Sequence, residues 1–244
     1  MDKTDWQQKG AGHRQRLREK FLSRGIDAFA EAEVVELLLT LGTPRKDCKE
    51  MARSLIARFG SLSKTLEASQ AELEQIPGIG PTNSFALHFI HGVARRYLKE
   101  RLIGKEYLRS TREVAEYLIH AMRDLGRETF LAIFLDASFG IKGSETIAEG
   151  SIAAATVYPR ELIRRAFDHH AAALVVAHNH PSGNINPSAE DRALTRRLFA
   201  ALAFVDVQLL DHVIVGGSGQ TYSFADHGLM AEIRQECQPL LGGR

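Results

Sequence analysis

The apolar run Ala171–Ala177 ends directly on His178-Asn179-His180, and no other junction in this 244-residue chain restricts the fold as much. Seven successive small or aliphatic residues bounded by turn formers read as a buried strand. On a strand, residues i and i+2 point to the same side, so His178 and His180 present both rings to one point. Pro181, Ser182 and Gly183 then break the strand. Ser188 and Asp191 open an amphipathic helical pattern, three residues apart and therefore on one face.

Two neutral imidazoles and a carboxylate suit zinc. Structural zinc sites usually close their shell with four protein ligands, mostly cysteine, and this chain has only Cys48 and Cys237, far apart. Three protein ligands leave a fourth position for water, the arrangement of hydrolytic sites. Ser188 is then the candidate donor to an oxyanion, and a carboxylate from elsewhere is needed as general base. A plainer reading exists. Ser188-Ala189-Glu190-Asp191 also has the pattern of a helix N-terminal cap. A cap, however, does not require an H-x-H at a strand end just upstream, and the joint pattern favours metal.

His178, His180, Ser188 and Asp191 match the JAMM motif of MPN-domain metallopeptidases. The flanking segments HNHPSG, Val157–Ala166 (VYPRELIRRA) and Leu209–Gly216 (LLDHVIVG) resemble the bacterial RadC family, over most of the chain from about Gly12 to Met230. The resemblance implies a zinc-dependent amidase or isopeptidase acting on a protein or peptide. It implies His178, His180 and Asp191 as ligands, with Ser188 beside the water. It also implies a catalytic Glu near the start of the domain's first strand. That strand is expected over Thr129–Leu135, which makes Glu128 the first candidate for general base, with Glu145 and Glu149 as rivals on the expected second strand.

A net charge of +1 sets up no global field for nucleic acid. The start, MDKTDWQQKG, is not a secretory signal, and no stretch approaches the roughly 20 apolar residues of a membrane helix. Two cysteines make no disulfide framework, which leads to the expectation of a cytoplasmic protein with no membrane contact.

The expected organisation is a helical domain over residues 1–100, an MPN/JAMM-like metal domain over 109–231 and a tail over 232–244, disordered from Gln235 to Arg244. Residues 97–110 read as a charged connector. The overall class is α/β (α+β), with a mixed sheet in the second domain. In the first, helices are expected over Glu33–Leu41, stopped by Gly42 and Pro44, over Lys49–Phe59 closed by Gly60, over Ala71–Gln75, and over Asn83–Lys99. The turn Ile76-Pro-Gly-Ile-Gly-Pro81 between the last two resembles a helix-hairpin-helix. Gly78 and Gly80 would let backbone amides reach a phosphate, giving non-sequence-specific DNA contact, with Arg14, Arg16 and Arg18 as auxiliaries. His88 and His91 read as surface residues, and His169 and His170 as complements to a helix C-terminus. Strands are expected at Val207–Leu210, His212–Val215 and Thr221–Phe224, with His212 a satisfied core or strand histidine. Three functions compete: a DNA-associated zinc hydrolase of amide bonds, a catalytically silent metal-stabilised module of DNA repair or recombination, and a metal-dependent nuclease.

Overall fold

A computed structural model describes residues 3–43, 47–150 and 157–242, with side chains from Gly12 onward. Pro44 lies outside the described residues. The chain forms two compact units, Met1–Ala94 and Arg95–Arg244.

The first unit is helical: α1 (Lys3–Arg24), α2 (Glu31–Gly42), α3 (Lys49–Phe59), α4 (Leu62–Glu67), α5 (Gln70–Leu73) and the greater part of α6 (Pro81–Leu102). Val35 and Leu39, one turn apart on α2, meet Met51, Ala52 and Leu55 of α3 in a core completed by Leu73 and Leu87. Gly60 ends α3 at φ +86°, its N–H donating to Ile56 O at 2.8 Å, a left-handed C-terminal cap that suits glycine. The sequence reading passes over α4. That short helix is fixed by its cap, the Ser61 hydroxyl accepting from Lys64 N. His88 is half-buried with Nε2 2.8 Å from Ala68 O, and His91 is half-buried too, so neither is a free surface residue.

The second unit carries α7 (Thr111–Met122), β1 (Thr129–Leu135), β2 (Ile141–Glu149), α8 (Pro159–Asp168), β3 (Ala173–His180), α9 (Ala189–Ala203), β4 (Gln208–Gly216), β5 (Thr221–Ser223) and α10 (Leu229–Cys237). The sheet order is β2-β1-β3-β4-β5. Only the β3–β4 pair is parallel. Of the inner strands, β1 is apolar from Phe130 to Leu135 and β3 from Ala173 to Ala177, because both faces are covered there. One face packs Phe130, Phe134, Leu174 and Val176 against α8, α9 and α10. The other packs Leu131, Ile133, Val175 and Ala177 against α7. The class is the mixed α+β expected from the sequence.

Several boundaries differ from expectation. The two strands expected over 207–215 are one, β4, with a register shift opposite Leu174/Val175. Asp211 does not interrupt it. Its buried carboxylate accepts from Tyr107 Oη, Ser223 Oγ and the amides of His212 and Ala225, so the cost of burial is offset by hydrogen bonds. The charged connector is ordered: α6 continues to Leu102, and Gly104 N donates to Ile141 O and Tyr107 N to Phe139 O. Leu102 and Tyr107 join the α7-side core. The tail is helical at its start. Ile233 and Cys237 of α10 are buried in the α9-side core, which the polar spacing Arg234-Gln235-Glu236 conceals.

Candidate metal centre

β3 and β1 run antiparallel with His178 opposite Phe130, and β3 and β4 run parallel with His180 opposite Gly216. By alternation His178 and His180 lie on the α9 side and Asn179 on the α7 side. Ser188 is the N-cap of α9. Its hydroxyl accepts from Asp191 N at 3.1 Å, and its own amide donates to Asp191 Oδ2 at 2.8 Å. The cap and the candidate ligand set are therefore the same residues. Ser188 Oγ also donates to Oδ2 at 2.7 Å. These bonds occupy Oδ2 and turn Oδ1 toward the histidines, 3.1 Å from His178 Nε2. His180 Nε2 lies 2.9 Å from His178 Nε2 and 3.5 Å from Asp191 Oδ2. One donor atom from each of His178, His180 and Asp191 falls within 4.8 Å of the others.

The remaining ring nitrogens decide whether this group suits a cation. His180 Nδ1 lies 2.5 Å from Asn184 O, a carbonyl that can only accept, so Nδ1 carries the proton. The loop that brings Asn184 there needs two glycines. Gly183 has φ +83°, and a Cβ at Gly216 would sit 2.6 Å from Ile185 Cγ2 and 2.9 Å from Gly183 O. His178 Nδ1 lies 2.7 Å from His212 Nε2. Thr195 Oγ1 donates to Asp191 O at 2.6 Å and sits 2.6 Å from His212 Nδ1. With the hydroxyl proton given to the carbonyl, His212 Nδ1 must donate to Thr195, and His212 Nε2 is left to accept from His178 Nδ1. Both candidate ligand imidazoles then face the Asp191 carboxylate with bare Nε2 lone pairs. Two lone pairs and a carboxylate oxygen at these distances repel one another unless a positive charge lies among them. The donor set fits a metal ion, and its two nitrogens and one oxygen suit zinc.

The electrostatics agree. Burial pushes the Asp191 carboxyl up, but the two imidazoles beside it and the Ser188 hydroxyl outweigh burial and hold the group far below the usual carboxylate range. Asp191 in turn raises the His180 imidazole's affinity for a proton against the effect of burial, and the negative charge of Glu128 adds to it. Burial, reinforced by His178, keeps His212 neutral.

Glu128 directly precedes β1 and lines a cleft of about 630 Å³ with Gly126, Arg127, Gly150, Pro181 and Ser182. The last two follow His180 in the chain, so the cleft adjoins the metal group. Both rivals lie on β2, but elsewhere. Glu145 is bound to Arg165 at 3.0 Å and to His169 Nε2 at 2.9 Å. Glu149 pairs with Thr129, next to the Phe130 that faces His178, and so lies on the opposite side of the sheet. His169 stacks on Phe134 at 4.0 Å and binds Glu145, so its side chain does not serve the α8 C-terminus as the sequence suggested.

Asn179 has a part that the sequence did not disclose. From the α7 side it accepts from Thr129 N at 2.8 Å and donates to Leu125 O and Arg127 O at 3.1 and 3.2 Å. It thereby pins the segment that carries Glu128 to the strand that carries the ligands. Asn179→Ala would take this partner from the buried Thr129 amide and from Leu125 O, and leave Arg127 O with Thr129 Oγ1 alone at 3.3 Å. It is expected to lower unfolding stability by about 1–3 kcal/mol, read by urea denaturation. An unchanged midpoint would refute this role.

Gly78 and Gly80, proposed above for phosphate contact, lie in the first unit in the turn before α6. Gly78 has φ +89°. Gly80 lies outside the left-handed region, and a Cβ there would meet nothing within 4 Å. The backbone freedom assigned to both is thus used at Gly78 alone. Of the basic run on α1, Arg14 Nη2 donates to Thr43 O and Lys20 pairs with Glu33, while Arg16 and Arg18 are exposed.

Comparison with known proteins places these features in context. Residues 108–229 match the model of the RadC-like JAB domain, and residues 9–85 that of the UPF0758 N-terminal domain. A UPF0758 protein of Ralstonia nicotianae is 41% identical over 216 residues, covering 88% of this chain and 96% of that protein. UPF0758 proteins of Burkholderia cenocepacia (46% over 214 residues, 88% and 83% covered) and Ralstonia pickettii (42% over 216 residues, 88% and 96% covered) are similarly close.

Proposed function

The chain belongs to the RadC family of JAB-domain proteins, and from that premise we propose that it is a JAMM-type zinc hydrolase of amide or isopeptide bonds in a protein or peptide. The observation that carries this reading is the convergence of two bare imidazole nitrogens on the Asp191 carboxylate beside the cleft that holds Glu128. His178, His180 and Asp191 are the residues that would hold zinc. Zinc there would supply a water acidic enough to ionise near neutral pH and a positive charge to polarise a carbonyl. Glu128, which lines that cleft, is the proton acceptor, whereas Glu145 is held by Arg165 and His169. Ser188 holds Asp191 in place. Its single hydroxyl proton is given to Oδ2, so donation to an oxyanion requires that hydroxyl to rotate. The test is to incubate the protein with a mixed peptide and isopeptide library and follow cleavage by mass spectrometry. Cleavage lost with a chelator and restored by zinc supports the reading. Zinc bound without cleavage would leave a metal-stabilised module, and cleavage of added DNA instead would make it a nuclease.

The first unit is proposed to touch DNA backbone through the Gly78–Gly80 turn, with Arg16 and Arg18 as auxiliary charges. Because Gly80 has open space and ordinary backbone angles, Gly80→Val should fold normally and alter only the surface. Weak, sequence-insensitive DNA binding that falls as salt rises is expected for the full chain. It should weaken in Gly80→Val with zinc content unchanged. No binding even at low salt would leave this unit as a protein-docking or structural element. Among the described residues, no helix is long and apolar enough to cross a membrane. Cys48 and Cys237 are buried and in no disulfide, in keeping with a proposed cytoplasmic location.

A further inference from the structure

β4 supplies none of the three ligands proposed above, yet one of its side chains reaches the centre. His212 is fully buried and sits edge-on to Phe130 and stacked on Phe224, with ring centroids 5.7 and 4.9 Å away. Its polar contacts among the described residues are His178 Nδ1 on one side and Thr195 Oγ1 on the other. Thr195, also fully buried, hands its hydroxyl proton to the backbone carbonyl of Asp191. The bonds therefore form a chain from the Asp191 carbonyl through Thr195 and His212 to His178 Nδ1, and the other ring nitrogen, Nε2, faces Asp191 Oδ1 across 3.1 Å.

We propose that Thr195 and His212 are positioning residues that fix the tautomer and orientation of His178, so that its Nε2 is presented to the metal as a lone pair. The direction of every bond in the chain follows from the Asp191 carbonyl, which can only accept. An unassisted imidazole in water has no such constraint, and one that carries its proton on Nε2 cannot ligate through that atom. Apolar neighbours on both faces of His212 hold its ring in place. Metal-binding histidines commonly donate their second ring N–H to a carboxylate, carbonyl or water. Here the acceptor is another imidazole, whose own tautomer is set by a helix carbonyl through a threonine. The chain also ties the ligand strand to the ligand helix: Asp191 and Thr195 both stand on α9, and Thr195 orients the His212 that accepts from His178.

This inference rests on the metal-centre reading, but its first measurement needs no metal. In the chelator-treated, full-length protein at mildly alkaline pH, two-bond ¹⁵N–¹H correlation spectra assign the protonated nitrogen of each histidine. His178 is expected as the Nδ1–H tautomer in the unaltered protein. In His212→Leu, where no acceptor remains, and in Thr195→Val, where His212 loses the group that orients it, His178 should lose that preference. Thr195→Val keeps the side-chain shape, so it answers the question even where His212→Leu fails to fold. The zinc dissociation constant, measured by competition with a chromophoric chelator, should rise about 10- to 100-fold in either variant. His212→Gln, whose carbonyl oxygen can accept from His178, should recover most of the affinity. An Nε2–H tautomer in the unaltered protein, or an Nδ1–H tautomer that persists in the variants, would overturn the proposal. So would a glutamine variant no better than leucine in either measurement. Absence of zinc binding by the unaltered protein would instead overturn the metal-centre reading, with the tautomer result still deciding this one.

Discussion

The double variant His178→Ala/His180→Ala is expected to be purified without zinc, where the unaltered chain should hold about one ion. With both imidazoles gone, only Asp191 remains of the three donors that converge, and one carboxylate does not retain zinc through purification. Elemental analysis reads the result directly, and circular dichroism checks that the sheet is retained. A sharper companion is Asp191→Asn. Asp191 serves two purposes, as the acidic partner of the α9 cap and as the candidate oxygen ligand. An amide keeps an oxygen to accept from the Ser188 amide, so the cap largely survives, but the negative charge that a cation needs is gone. Zinc loss with little change in thermal stability separates the two duties. Unchanged zinc in the double variant would show that the ligands have been misassigned.

That separation bears on what a sequence can disclose. The strand before His178 was legible because seven apolar residues in a row must be covered on both sides. The helix over Lys49–Phe59 was legible because Gly60 closes it with a left-handed cap. The competing readings of Ser188 and Asp191, cap or ligand, could not be resolved from the pattern, since one geometry serves both. Less visible were the groups that act through others. His212 reads as a core histidine, and it is one, but its partner is thirty-four positions away in the chain. Asn179 sits between two histidines and looks like a spacer, although its side chain reaches back about fifty positions to Leu125, Arg127 and Thr129. Local periodicity carries no record of such contacts. For the same reason the connector looked unstructured: its order comes from bonds to Phe139 and Ile141 rather than from its own composition. The α10 helix was hidden because only Ile233 and Cys237 of its second half face the core.

Glu128→Gln is expected to keep zinc and fold while losing hydrolysis by about 10²- to 10⁴-fold, the usual weight of a general base. The amide matches the carboxylate in shape but cannot take a proton from water. The change should be mild for the scaffold, because Glu128 is held by its backbone: its carbonyl accepts from Gly150 N at 2.8 Å, and Asn179 grips the residues on either side. The two other glutamates supply the controls. Glu145→Gln breaks the pairing with Arg165 and His169, so a stability loss with cleavage retained is expected. Glu149→Gln, on the far side of the sheet from His178, should alter neither. Cleavage of the peptide library, scored beside zinc content for all three variants, reads the outcome. Loss of cleavage in Glu145→Gln alone would move the proton acceptor to β2 and require its ion pair to open during turnover. Equal cleavage in all three would remove carboxylate base catalysis from the proposed mechanism, because Glu128 is the one of these side chains that shares a cleft with the residues following His180.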